Sequence, residues 1–138
     1  MPSSTEFPRI VLVMHAPLGS ALAACVRHVY GDTSQLEVID VGPADISEIH
    51  VQRVYELICA DAQSTLLLCD LMGATPFNIA HAAMQRARSD GAKVNLISGA
   101  NLGMVLKAVA DRHTDPRDFV EAVRDGALRG IVIIEEHH

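Results

Sequence analysis

Only three cysteines, Cys25, Cys59 and Cys69, occur among the 138 residues, and no two of them have CxxC spacing. An odd count inside apolar segments, in a chain without an export signal, disfavours a disulfide framework or zinc site and predicts buried free thiols. Long hydrophobic runs are missing too, since none approaches the roughly 18 residues needed to cross a bilayer. The opening MPSSTEF has neither the basic nor the apolar region of a signal peptide, so a cytoplasmic protein without direct membrane insertion is expected. Positive charge is in short supply: 11 Lys and Arg stand against 17 Asp and Glu, a net charge of −6. That balance disfavours nucleic acid and anionic membranes as partners and suits a protein with a basic docking face. Metal-ligand spacing is absent as well. His28, His50, His81 and His113 fall on or near expected helices without a coherent pattern, which predicts solvated faces, no metal and no cofactor.

What remains is a chain of single-domain length with 49% hydrophobic residues, enough for a well-covered core. The terminal EEHH resembles the start of a purification tag, so the domain is taken as residues 1–136, with His137 and His138 set apart as a tag remnant.

Strand and helix patterns alternate throughout. Arg9 to Met14 form a continuous apolar run rich in Ile and Val, which predicts a strand covered on both faces. LGSALAACVRHVYG then carries Leu18, Leu22, Cys25, Val26 and Val29 at helical spacing, with Gly31 as a C-terminal stop. LEVID at 36–40 predicts a second strand. A helix follows in which Asp45 and Glu48 have capping-box spacing. TLLLC at 65–69 predicts a third strand, and Thr75-Pro76 a helix start with Thr as N-cap and Pro as first helical residue, running to about Arg88. KVNLIS, two further helices and a last IVII strand at Ile131–Ile134 complete the pattern. Repeated β-α units of this length predict an α/β fold: an open, mostly parallel sheet with helices on both faces.

Three loops collect at the expected carboxyl edge of that sheet, where open α/β folds bind ligands: MHAPLG, DLMGATPFN and SGANLG. A 2-1-3-4 strand order makes the first and third strands neighbours and brings His15 within reach of Asp70. A carboxylate accepting from Nδ1–H fixes the imidazole tautomer, leaves the Nε2 lone pair as a nucleophile and stabilises the positive charge that develops on attack. The helix opening at Thr75 adds backbone N–H donors, with Gly73 and Ala74 beside it, and a dipole end suited to phosphate. Each part also has a plain structural role. His15 can be a hydrogen-bonded turn residue, Asp70 a loop cap, Gly73 a turn former and Asn101 a helix cap, while Met72 and Phe77 fit either docking or core packing.

The stretches IVLVMHAPLGSAL, LLLCDLMGATPFNIA and LISGANLGMVL together resemble the enzyme IIA proteins of the mannose family of the bacterial phosphoenolpyruvate-dependent sugar phosphotransferase system. The resemblance spans nearly the whole chain, with Asp-x-x-Gly-x-Ser/Thr-Pro-Phe-Asn as its specific signature. It implies a phosphotransferase component in which His15 is the phosphoacceptor, Asp70 its orienting partner and Thr75 a phosphate-contacting hydroxyl. The implied donor is the phosphocarrier HPr and the acceptor an enzyme IIB, in sugar uptake or in regulation. It further implies a homodimer and a final antiparallel edge strand that can be exchanged between subunits, an element matched by Ile131 to Ile134.

This chain departs from the family beside its histidine, with Met14 where Ser or Thr is usual and Ala16 where Gly is usual, while Pro17 removes a backbone N–H. Three other functions compete. A response-regulator receiver domain also ends its third strand in Asp, but calls for an acidic pair where Met14-His15 stands and a lysine near a later strand. A dihydroxyacetone-kinase-linked phosphocarrier differs only in its phosphate acceptor, and an anion-binding regulatory module would bind phosphate without covalent labelling.

Overall fold

A computed structural model describes residues 8–112 and 115–136. His113 therefore lies outside the described residues, as do His137 and His138. The elements run β1 (Arg9–His15), α1 (Leu18–Val29), β2 (Leu36–Val41), α2 (Ser47–Ile58), β3 (Thr65–Cys69), α3 (Thr75–Ser89), β4 (Val94–Ile97), α4 (Leu102–Asp111) and α5 (Pro116–Arg129). The sheet order is β2-β1-β3-β4, as expected, and every pairing is parallel.

Side-chain alternation along the strands builds two cores, one on each face. Val11 and Val13 of β1, with Leu67 and Cys69 of β3, pack under α2 and α3. Ile10, Leu12 and Met14, with Leu66 and Leu68, pack under α1, α4 and α5. Both central strands are thus apolar at successive positions because neither face meets water. Their parallel register, Val13 opposite Cys69 and His15 opposite Val41, aligns the strand ends that carry the site.

Several local expectations are corrected. Ile131–Ile134 form no strand: Ile131 N–H still bonds back to the Leu128 carbonyl, and the segment leaves α5 directly, with side chains 66–88% exposed. Among the described residues the sheet therefore has four strands and no antiparallel edge. Asp45 and Glu48 make no capping box, because the Asp45 carboxylate turns to Gly42 N–H and His50 Nε2, each at 2.8 Å, and α2 begins after Ile46 without a side-chain cap. His50 is consequently buried rather than solvated. Cys25 is exposed within α1 and Cys59 at the C-cap of α2, so Cys69 alone fits the expectation of a buried thiol.

Candidate functional site

The site begins where β1 ends. His15 is the first exposed residue after five buried ones, with half of its side chain open to solvent. β3 ends beside it, so Asp70 emerges at the neighbouring position with its side chain only 10% exposed. Its Oδ2 accepts the His15 backbone N–H at 3.0 Å and lies 2.8 Å from Nδ1, while Oδ1 accepts Leu71 N–H at 3.0 Å. The main chain and ring of His15 are therefore held by one carboxylate.

This geometry places the ring proton on Nδ1 and leaves the Nε2 lone pair available. Burial works against the Asp70 charge, but the backbone and ring donors of His15 outweigh it and hold the carboxyl below its ordinary value. Asp70 is an anion at neutral pH, placed to balance the positive charge that develops on the imidazole when Nε2 attacks. The adjoining Cys69 thiol is pushed up to about 12 by burial, with the Asp70 charge adding to the effect, so it stays protonated.

The loop after Asp70 leads directly into α3. Gly73 takes φ +84°, a conformation that favours glycine, and turns the chain toward the helix. Ala74, not Thr75, occupies the N-cap position. Thr75 and Pro76 are the first two helical residues, because the cap must adopt the extended backbone seen at Ala74. Thr75 is exposed, whereas the Ala74 N–H is already donated to the Leu71 carbonyl at 3.3 Å. Pro76 removes no helical hydrogen bond, since first-turn donors have no intrahelical acceptor.

Other candidates separate clearly. Asn101 caps α4 through its side-chain oxygen, which accepts Met104 N–H at 2.8 Å. Met72 is 76% exposed beside the site, while Phe77 is half-buried and stacks on His81, with ring centroids 5.7 Å apart. Among the described residues no group of three His, Cys, Asp or Glu side chains could hold a metal, and no helix is long and apolar enough to cross a membrane.

Residues 9–124 match the EIIA-man family model, described as the PTS system fructose IIA component. The chain belongs to this family. Its fold is similar to that of phosphotransferase system component EIIA from Streptococcus agalactiae, with 25% identity, a TM-score of 0.81 and coverage of 91% of this chain and 95% of that one. The mannose/sorbose-specific IIA subunit from Enterococcus faecalis shares the fold with a TM-score of 0.82 at 19% identity, over 96% of this chain and 98% of that one. The PTS IIA protein of a fucose utilization operon in Streptococcus pneumoniae does so with a TM-score of 0.74 at 18% identity, over 92% and 93%. No curated protein sequence matches the chain. As a member of EIIA-man, the protein is a IIA component of the phosphotransferase system, a family of phosphocarriers in sugar transport. The receiver-domain alternative falls away.

Two polar pairs near the carboxyl edge escaped sequence reasoning: Asp45 with His50, and Asp40 with Ser20. The first has helical proximity as a weak signal. The second joins residues that only the packing of α1 on β2 brings together.

Proposed function

We propose that the protein is a cytoplasmic phosphohistidine carrier that accepts a phosphoryl group from HPr on Nε2 of His15 and passes it to an enzyme IIB. The Nε2 lone pair attacks the phosphorus of the donor's phosphohistidine; a new N–P bond forms, and the donor's N–P bond breaks with its electron pair returning to the donor imidazole. Asp70 holds the attacking tautomer and balances the imidazolium charge. Thr75, Gly73 and Ala74, at the positive end of α3, are assigned to the phosphoryl oxygens. Transfer to enzyme IIB runs through the same steps in reverse. The observation that carries this reading is the 2.8 Å contact between Nδ1 and Asp70, reinforced by the bond from the same carboxylate to the His15 main chain.

The exposed Ile131–Ile134 segment supports a homodimer in which this apolar stretch is covered by the second subunit. The activity is tested with enzyme I, HPr and phosphoenolpyruvate carrying labelled phosphorus. His15→Ala is expected to take up no label. Labelling that persists in His15→Ala would move the acceptor elsewhere and refute the assignment.

A further inference from the structure

Asp40, near the end of β2, is a polar anchor that the proposed phosphoryl cycle leaves without a role. It stands in register with Met14, one residue before His15. Its carboxylate accepts the Ser20 backbone N–H, both oxygens lying at 3.3 Å, and the Ser20 hydroxyl at 2.5 Å. The next residue of β2, Val41, accepts Ala16 N–H through its carbonyl at 2.9 Å. Between these points lies Gly19, where an added Cβ would sit 2.6 Å from Asp40 Oδ1 and 2.9 Å from Val38 Cγ1. Any larger residue at this position would have to displace the Asp40 carboxylate or the Val38 side chain.

The need for such an anchor follows from the chain itself. α1 begins after Pro17, which has no N–H, and makes no side-chain capping bond of its own. Asp40 supplies from a neighbouring strand the acceptor that a cap residue usually supplies locally. By alternation Asp40 shares a face with Met14, whose side chain packs in the α1, α4 and α5 core, whereas His15 belongs to the opposite alternation. Any influence of Asp40 on His15 therefore passes through the backbone. The turn from His15 to Leu18 is pinned by β2 on one side, as Asp70 pins His15 from β3 on the other.

We infer that Asp40 is a positioning residue for phosphoryl transfer: by locking Gly19 and Ser20 of α1 onto β2, it fixes the turn that aims the His15 imidazole at the incoming phosphorus. This rests on the proposed role of His15. A misplacement of about 1 Å at a reacting group can cost up to about a hundredfold in rate.

The test uses the full chain with Asp40→Ala, with Gly19→Ala, which displaces the carboxylate without removing it, and with Asp40→Asn, which keeps an acceptor. Single-turnover phosphorylation from phospho-HPr at a temperature where each variant is folded should be about tenfold slower for Asp40→Ala and Gly19→Ala. The Asn variant should recover to within about threefold, and the donor concentration at half-saturation should stay within about twofold, because Asp40 orients rather than binds. NMR of the unphosphorylated protein should show the hydrogen-bonded Nδ1 proton of His15 exchanging faster in both slow variants. Lowered melting temperatures with wild-type rates and an unchanged Nδ1 proton would reduce Asp40 to a structural role and overturn the inference. Should Asp40→Ala fail to fold, Gly19→Ala alone decides it. If the wild type takes up no phosphate, the proposed function fails, and the Nδ1 proton still decides whether Asp40 positions His15.

Discussion

Replacing Asp70 by asparagine perturbs the site with almost no change in volume, which makes its cost calculable. The aspartate accepts three donors: His15 N–H at 3.0 Å and the His15 ring at 2.8 Å on one oxygen, and Leu71 N–H at 3.0 Å on the other. An asparagine offers one acceptor oxygen. Whichever way the amide is turned, its NH2 group faces at least one N–H, and the counter-charge for the imidazolium is gone. A hydrogen bond to a charged partner contributes about 1.5–3 kcal/mol. If that contribution is felt in the transition state, phosphorylation slows by about ten- to 150-fold. Single-turnover labelling from phospho-HPr reads this directly, with a thermal melt as control for folding. A rate within about twofold of wild type in a folded variant would refute the orienting role.

The Asp70 carboxyl titrates below its ordinary value of 3.8, and that depression sets the pH dependence of the same variant. A group with a depressed folded pKa contributes stability above its ordinary value, and this is lost as pH falls through the folded one. The wild type should therefore exceed Asp70→Asn in stability above about pH 5, with the Asp70 share of that margin closing in stronger acid.

Three further outcomes are expected. A thiol reagent should modify Cys25 and Cys59 in the native protein and reach Cys69 only on unfolding, because Cys69 is buried and its thiol is pushed up to about 12; rapid native reaction of Cys69 would contradict this. His50→Ala should lower stability by about 1–3 kcal/mol in denaturant titrations, since it empties a buried site and releases Asp45; an effect within experimental error would show the pair to be dispensable. Ile133→Glu, at a side chain 83% exposed in the single chain, should leave the fold intact and shift light scattering from dimer to monomer; an unchanged mass would remove the tail from the interface.

Much of this architecture was legible because the signals are periodic. Two-sided burial of β1 and β3 writes itself as continuous apolar runs, and the β-α repeats leave few topologies, so the 2-1-3-4 order and the approach of His15 to Asp70 could be reasoned out. Polar partnerships were less accessible, because one side chain often has several suitable acceptors. Asp45 suited a capping box by spacing but closes a loop onto Gly42 and His50 instead, which also buries a histidine expected in solvent. The Asp40–Ser20 clamp depends on how closely α1 approaches β2, a tertiary distance with no local pattern. The IVII segment has strand composition, but composition cannot supply the neighbouring strand, and among the described residues none pairs with it.

The chemistry of the phosphorylated species tests the central claim most directly. Phosphate on a histidine nitrogen is a phosphoramidate, whose nitrogen becomes a good leaving group once protonated, whereas phosphate on Asp70 would be an acyl phosphate open to hydroxide and hydroxylamine. The protein labelled through enzyme I and HPr should keep its phosphate in alkali and lose it in acid. Phosphorus and nitrogen NMR should place the label on Nε2 of His15. Label that is released by hydroxylamine, survives His15→Ala and disappears in Asp70→Asn would contradict the account and assign the phosphoryl group to the aspartate.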